Sequence, residues 1–238
     1  MRRLLIRPGA IGDCILALPA MEYARAEYTE VWAPSAVIPL LNAFDHARPL
    51  SATGLDLFGL PGVEPPASLL AALGSFDSIY SWYGANRPEF RQASSHLPIS
   101  FFSALPPPDN QQNAADYFAS QVGCPTPALP RIKIEPHAPR QTVVIHPFSG
   151  GRTKNWPLDC FRELARRLTL PVEWCAGPEE ELAGAVRFEN LLHLAGWIAG
   201  ARLYIGNDSV ITHLAAAAGA QTLALFSKTD PAIWAPRG

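Results

Sequence analysis

This sequence has few cysteines and a small net charge. Only four of the 238 residues are cysteines, Cys14, Cys124, Cys160 and Cys175, and no two of them form a CxxC pair. Such spacing argues against a disulfide framework and against a thiolate metal site, and it is typical of unpaired thiols in a cytosolic protein. The formal net charge is only −2, which argues against a surface dedicated to nucleic acid.

Long apolar runs are also lacking. The N-terminus begins like a signal peptide, because Arg2 and Arg3 are followed by apolar side chains. However, Pro8, Gly12 and Asp13 interrupt the apolar segment that a signal peptide requires. No other stretch is long and apolar enough to span a bilayer. We therefore expect a cytoplasmic protein.

Short apolar segments alternate with amphipathic ones through both halves of the sequence. Strand–helix–strand units of this kind form parallel sheets with right-handed crossovers. A segment with five prolines, residues 124–141, interrupts the alternation and has the composition of a linker. The sequence therefore predicts an α/β protein with one parallel-sheet domain at residues 1–123, a linker at residues 124–141, a second such domain at residues 142–238, and a cleft between the two.

Several local predictions depend on individual residues. Pro19 lies within the helix expected after the first strand, so a kink or a short first helix is predicted there. A helix is predicted at residues 37–44 and a strand near residues 50–52. The acidic run Glu179, Glu180 and Glu181 follows a predicted strand and indicates a helix start, where acidic side chains are favourable.

The stretch at residues 203–219 has the pattern of a ligand-binding strand–turn–helix unit. An apolar strand is followed by a polar turn containing Asp208, and then by an alanine-rich helix that carries Ser209 and His213 on one face. Ser209 is expected to cap this helix, and the free N–H groups of its first turn attract phosphates. The alternative is an ordinary strand–helix connection in which Asp208 and Ser209 only cap the helix.

Asp13 has a comparable position in the first half, because it follows a glycine-containing turn at the start of a helix. A carboxylate there is either a general base facing the cleft or a helix cap stabilised by the helix dipole. The turn contains Gly9 and Gly12 but lacks the third glycine of the dinucleotide fingerprint, and no acidic residue ends the second strand. NAD binding is therefore disfavoured.

The loop at residues 149–154 is small, hydroxylated and basic, and it directly follows a predicted strand. Ser149, Thr153 and the backbone N–H groups are suited to cradle a phosphate, with Lys154 supplying positive charge. The spacing is not that of a Walker A loop, and a solvated turn is the alternative. A carboxylate of the acidic run, such as Glu179 or Glu181, is suited to bind a ribose.

Four segments together resemble glycosyltransferase family 9, the heptosyltransferases that build the inner core of lipopolysaccharide. They occur in the order of the family and cover both halves of the chain. The segments are RPGAIGDCILALP at residues 7–19, HP at 146–147 with KNWP at 154–157, GNDS at 206–209 with HLAAA at 213–217, and LFSKTDP at 225–231.

This resemblance implies a GT-B fold, in which two Rossmann-like domains face each other across the active site. It implies inverting, metal-independent transfer of a sugar from a nucleotide-sugar, usually ADP-heptose, with no cofactor. Asp13 would be the general base and Lys154 would bind the diphosphate. The diphosphate would be held by Asp208, Ser209 and His213, and one of the acids at residues 179–181 would bind the ribose.

The resemblance also implies a lipid-linked or oligosaccharide acceptor, and hence peripheral contact with the inner face of the cytoplasmic membrane. One departure from the family pattern concerns the phosphate site, because Val210 stands where the family usually has glycine. Glycine lets a phosphate approach the backbone closely, whereas valine would crowd the phosphate or alter the helix entry. A GT-B-like protein that binds a nucleotide without turnover therefore stays as an alternative.

Overall fold

The first half of the chain forms a five-stranded parallel sheet. The computed structural model describes residues 1–135 and 137–238. The strand order is β3-β2-β1-β4-β5, and every neighbouring pair is parallel. The central strand β1 carries buried apolar side chains on both faces, as helices on both sides of a parallel sheet require. The bounds are β1 (Arg2–Ile6), β2 (Tyr28–Ala33), β3 (His46–Pro49), β4 (Ser78–Ser81) and β5 (Ile99–Phe101).

Short helices cover this sheet. The predicted break near Pro19 is confirmed, because the helical segment is divided at Ala17 into α1 and α2. Pro19 is the second residue of α2, where its missing N–H costs no hydrogen bond. The helices of the first half are α1 (Ile11–Leu16), α2 (Leu18–Tyr23), α3 (Ala67–Leu73), α4 (Pro88–Ala93) and α5 (Ala114–Gln121).

The second half forms a separate four-stranded parallel sheet, so the predicted α/β architecture with two parallel sheets is confirmed. Its order is β7-β6-β8-β9. Among the described residues, no helix has the length and apolar character needed to cross a bilayer. The elements are β6 (Val143–His146), α6 (Leu158–Arg167), β7 (Val172–Trp174), α7 (Leu191–Ala199), β8 (Leu203–Asn207), α8 (Val210–Ala217), β9 (Thr222–Leu225) and α9 (Pro231–Trp234).

Helices α1 and α8 join the two sheets. They pack directly against each other, and one cluster of buried apolar side chains extends across both halves. Gly12 lies in this contact, and a Cβ built on it would lie at van der Waals distance from α8, 3.7 Å from Cδ2 of His213 and 3.8 Å from Cγ2 of Val210. The helices that follow the central strands β1 and β8 therefore meet at the cleft.

The proline-rich segment at residues 124–141 connects the sheets and contains no helix or strand within its described part. It is nevertheless bound to both halves. The backbone N–H of Ile132 donates to the carbonyl of Ala217 at 2.9 Å, and the side-chain amide of Asn42 donates to the carbonyl of Lys133 at 2.9 Å. Ala128 and Ile132 are buried. The segment thus adds packing contacts to the connection.

Three local predictions are wrong. Residues 37–44 do not form an α-helix; a 3-10 helix at Ser35–Leu41 stands there, and Pro39 inside it has no N–H to donate. The strand is His46–Pro49, and the residues predicted as strand form a 3-10 turn. No helix begins at Glu179, because the backbone around Cys175 pairs with Val186 and folds the intervening residues into turns.

Candidate active site

One cavity of about 390 Å³ brings together side chains from both halves. Parallel strands place their carboxyl ends along one edge, where α/β proteins bind ligands. Here α1 follows β1, the loop before α6 follows β6, and α8 follows β8. They bring to this cavity the five residues that the sequence singled out most strongly: Asp13, Lys154, Asp208, Ser209 and His213.

Asp13 lies in the first turn of α1 and lines the cavity. Burial raises the pKa of its carboxyl group, while the positive charge of Arg7 and a hydrogen bond from the backbone of Ala10 oppose the rise. The net direction is upward. A carboxylate whose pKa lies above its usual range is a stronger base, which suits proton removal from a hydroxyl group.

Arg7, which the sequence pattern did not indicate, holds the backbone at Asp13 in place. It is completely buried, and its guanidinium donates to the carbonyl of Asp13 at 2.9 Å and to the carbonyl of Ala104 at 3.0 Å. The guanidinium carbon lies 4.4 Å from the centre of the Phe118 ring. Arg7 therefore fixes the start of α1 and places a positive charge near Asp13.

Lys154 is held in the cavity by an ion pair with Asp208. Nζ of Lys154 lies 2.8 Å from Oδ2 of Asp208, and the hydroxyl of Thr229 donates to the same oxygen at 2.6 Å. The Asp208 side chain is 6% exposed and that of Lys154 is 35% exposed. Because a carboxylate repels a diphosphate, the contribution of Asp208 to an anion site comes through Lys154. Thr229 lies in the LFSKTDP segment, but its role was not anticipated.

The start of α8 presents its free N–H groups to the same cavity. Ser209 is the helix cap, as predicted, and its hydroxyl oxygen accepts from the backbone N–H of Thr212 at 3.4 Å. Val210 is the first residue of a regular helix. Its side chain lines the wall where this cavity meets a second one.

His213 lies one turn into α8 and is almost fully buried. Burial lowers its pKa to about 4, against the opposing effect of Asp208. Nε2 of His213 lies 3.9 Å from Oδ1 of Asp208, too far for a hydrogen bond. His213 is therefore neutral near pH 7 and offers the cavity a polar imidazole without positive charge.

A second cavity of about 230 Å³ adjoins the first and shares Gly150, Ser209 and Val210 with it. Its wall is largely apolar. Its polar lining includes His146 and Glu180, and Nε2 of His146 lies 2.9 Å from Oε2 of Glu180. The apolar part of the wall includes Ile11, Ala176, Phe188, Leu191, Leu194 and Ile211.

Among the three acids of the predicted ribose site, only Glu180 lines this second cavity. Glu179 and Glu181 are exposed. Burial acts to raise the pKa of Glu180, but hydrogen bonds from His146 and Gly177 and the charges of His146 and Arg187 outweigh it, so the pKa is lowered. Glu180 is therefore ionised near neutral pH.

The two predicted hydroxyl residues of the phosphate loop have different surroundings. Ser149 lines the second cavity, but its hydroxyl already contacts the carbonyl of Gly151 at 2.9 Å and Oδ1 of Asn155 at 2.7 Å. Thr153 is exposed and lines a neighbouring groove with Trp156. Gly150, Gly151 and Lys154 are the residues of this loop that line the first cavity.

The C-terminal residues complete the wall of the first cavity. Trp234 lines it from the end of α9. The following residues are bound to the first half of the chain, because Arg237 pairs with Asp116 at 2.7 Å and the amide of Asn113 donates to the carbonyl of Ala235 at 3.0 Å. These contacts join residues far apart in sequence, so no local pattern indicated them.

Within residues 1–135 and 137–238, no three histidine, cysteine or acidic side chains are grouped so that they could hold a metal ion. The positive side of the first cavity is formed by Lys154 and the α8 N-terminus. Metal independence stays a prediction.

Two parallel-sheet domains with the site at their junction define the GT-B class of fold. The profile of glycosyltransferase family 9 (heptosyltransferase) matches residues 106–238, which is more than half of the chain. The chain belongs to this family. It is 39% identical over 94 residues to lipopolysaccharide heptosyltransferase 1 of Pseudomonas aeruginosa, and this match spans 33% of the chain and 26% of that relative.

Solved structures support the GT-B fold over the full chain. The glycosyl transferase family 9 structure from Veillonella parvula has a TM-score of 0.75 at 17% identity, and the similarity covers 99% of this chain and 83% of that one. ADP-heptose lipopolysaccharide heptosyltransferase II of E. coli has the same TM-score and identity, with 99% and 88% covered. The predicted GT-B architecture is therefore confirmed.

Proposed function

We propose that this protein is a glycosyltransferase that moves a sugar from a nucleotide-diphosphate donor to a saccharide acceptor. The observation that carries the proposal is the first cavity, which joins Asp13 of the first half to Lys154 and the α8 N-terminus of the second. A base on one side and an anion site on the other are the two requirements for displacing a diphosphate with a hydroxyl group.

The proposed donor is ADP-heptose, the sugar nucleotide that appears in the name of the E. coli heptosyltransferase II. The second cavity would take the nucleoside, because its apolar wall suits a base and Glu180 suits the ribose hydroxyls. The diphosphate would lie across Gly150 and Ser209, which line both cavities. The sugar would then extend into the first cavity toward Asp13.

In the proposed reaction, the acceptor hydroxyl oxygen forms a bond to the anomeric carbon as the bond from that carbon to the diphosphate oxygen breaks. The hydroxyl proton passes to the carboxylate of Asp13. The negative charge that develops on the departing diphosphate is stabilised by Lys154 and by the N–H groups at the start of α8. Attack on the face opposite the leaving group inverts the anomeric configuration.

This arrangement requires no metal ion, because a lysine and a helix N-terminus can neutralise a leaving diphosphate. We further propose a lipopolysaccharide-core or similar saccharide acceptor. The reaction would take place in the cytoplasm, with peripheral contact at the inner face of the cytoplasmic membrane, since a lipid-linked acceptor is presented there.

The test begins with calorimetry of the purified chain against ADP, UDP and GDP sugars. Transfer from the sugar that binds most tightly is then followed with a lipopolysaccharide-core acceptor, in the presence and absence of EDTA, and the anomeric configuration is read by NMR. Selective ADP-heptose binding and EDTA-resistant transfer with inversion are expected. Failure to bind any nucleotide sugar would refute the proposal.

A second candidate function rests on Val210, whose side chain lies where the two cavities meet. If valine prevents the diphosphate from approaching the start of α8, the protein would hold a nucleotide or nucleotide-sugar without turnover. The two functions are separated by the transfer step. Tight binding of ADP-heptose together with no transfer to any core acceptor would favour the binding protein over the enzyme.

A further inference from the structure

His146 makes a contact that the proposed reaction does not use. It ends β6, and its side chain is 4% exposed. Nε2 lies 2.9 Å from Oε2 of Glu180, while Nδ1 is buried without a hydrogen-bond partner among the described residues. A carboxylate oxygen can only accept, so the imidazole nitrogen that faces it must carry a proton. Because Glu180 is ionised, Nε2 is the nitrogen that donates.

Glu180 is held at only one of its two oxygens. Oε2 accepts from His146 and also from the backbone N–H of Gly177, at 2.6 Å. None of the hydrogen bonds among the described residues reaches Oε1. A Cβ at Gly177 would lie 3.2 Å from Oε2, so glycine permits the close approach. One oxygen is thus fixed by two donors, and the other remains able to accept from a ligand.

A carboxylate fixed in this way has a defined direction. Glu180 lies on a turn between β7 and α7 with no regular secondary structure, so the loop backbone alone gives its side chain little support. His146 belongs to the central part of the second sheet, where β6 pairs with both β7 and β8. The hydrogen bond therefore fixes the position of the Glu180 carboxylate relative to the sheet, although Glu180 lies on a loop.

We propose that His146 is a positioning residue, which orients Glu180 so that its free oxygen accepts hydrogen bonds from the ribose hydroxyls of the donor nucleotide. The inference rests on the proposed function, since it requires a nucleotide in the second cavity. His146 thus increases the affinity for the ribose by acting through Glu180, and it does not contact the reacting atoms.

Calorimetry with ADP and with 2′,3′-dideoxy-ADP tests the inference, because the second ligand lacks both hydroxyls. For His146→Leu, we expect ADP to bind about 5- to 10-fold more weakly, which corresponds to one lost hydrogen bond, while dideoxy-ADP binds as it does to the wild type. His146→Gln, which retains an N–H donor, should recover most of the ADP affinity. His193→Leu is the control, since His193 is an exposed histidine on α7 of the same half.

A double-mutant cycle separates positioning from a general effect on the fold. Glu180→Ala should weaken ADP binding, and His146→Leu should add no further loss in that background. Equal weakening of ADP and dideoxy-ADP by His146→Leu, or additive effects in the cycle, would overturn the inference while leaving the proposed function intact. Failure of the wild type to bind ADP would instead refute the proposed donor and, with it, the inference.

Discussion

Nζ of Lys154 lies 2.8 Å from Oδ2 of Asp208, although 54 residues separate them in sequence. The pair connects the loop after β6 to the start of α8, and the hydroxyl of Thr229 completes it. Asp208 is nearly buried and Lys154 is partly exposed to the cavity. The carboxylate therefore fixes the ammonium group in the first cavity, at the proposed diphosphate site.

Replacing Lys154 tests its two proposed roles, which are to bind the diphosphate and to neutralise Asp208. For Lys154→Met, we expect ADP affinity to fall about 10- to 100-fold, because charge-assisted hydrogen bonds contribute about 1.5–3 kcal/mol. The free energy of unfolding should also fall by about 1–3 kcal/mol, since Asp208 loses its cation. Calorimetry and urea denaturation measure the two effects, and Lys133→Met at an exposed lysine is the control.

Asp208→Asn in the Lys154→Met background should restore stability without restoring ADP affinity, because the buried negative charge is then absent. Recovery of ADP binding in the double variant would show that Lys154 does not contact the diphosphate.

Asp13→Asn should abolish transfer while leaving the Kd of ADP within about twofold, because the amide retains the volume but cannot accept the proton. In the wild type, the rate should fall as pH decreases through the raised pKa of Asp13, so the acid limb should lie above the usual range of an aspartate. A pH–rate profile measures this limb. Asp56→Asn, at an exposed aspartate, is the control, and transfer by Asp13→Asn would exclude Asp13 as the base.

Removing the charge of Arg7 should shift that acid limb further upward, because Arg7 is the main positive charge that lowers the pKa of Asp13. Arg7→Met is the variant to compare with the wild type. It should also lower the free energy of unfolding by roughly 1–3 kcal/mol, since the carbonyls of Asp13 and Ala104 lose their donors. An unchanged limb in a folded variant would contradict the electrostatic role.

Val210→Gly tests whether the side chain at the start of α8 restricts the phosphate. We expect ADP to bind severalfold more tightly, because the backbone N–H groups become more accessible. The free energy of unfolding should fall by less than about 1 kcal/mol, the cost of glycine in a helix. Val210→Ala should give an intermediate affinity. If all three proteins bind ADP equally, Val210 does not obstruct the site.

His213 should make stability dependent on pH. Its pKa is about 4 in the folded protein and 6.5 as the reference value, so the unfolded state binds a proton first as pH decreases. The free energy of unfolding should therefore be highest above pH 6.5. It should fall by up to about 3 kcal/mol as the pH decreases from 6.5 to 4, because His213 resists protonation in the folded state. Urea denaturation should show a weaker pH dependence for His213→Gln than for the wild type and for the exposed-site variant His96→Gln. Equal slopes would contradict this assignment.

Much of the architecture could be predicted from the sequence because it depends on local patterns. The break between α1 and α2 was predicted from Pro19, and Ser209 was identified as the cap of α8 from its position after an apolar strand. The errors fall where non-local pairing decides the backbone. The acids at residues 179–181 favour a helix start, but the pairing of Cys175 with Val186 holds the chain in turns.

The sequence by itself determined two parallel sheets and the grouping of Asp13, Lys154 and Ser209 at strand ends, because parallel strands place their carboxyl ends along one edge. Only the tertiary structure decided which acid enters the second cavity and which groups support it. Glu180 faces inward because a histidine 34 residues earlier donates to it, and Asp13 is supported by the buried Arg7. Such contacts depend on the packing of one element against another, which local periodicity does not encode.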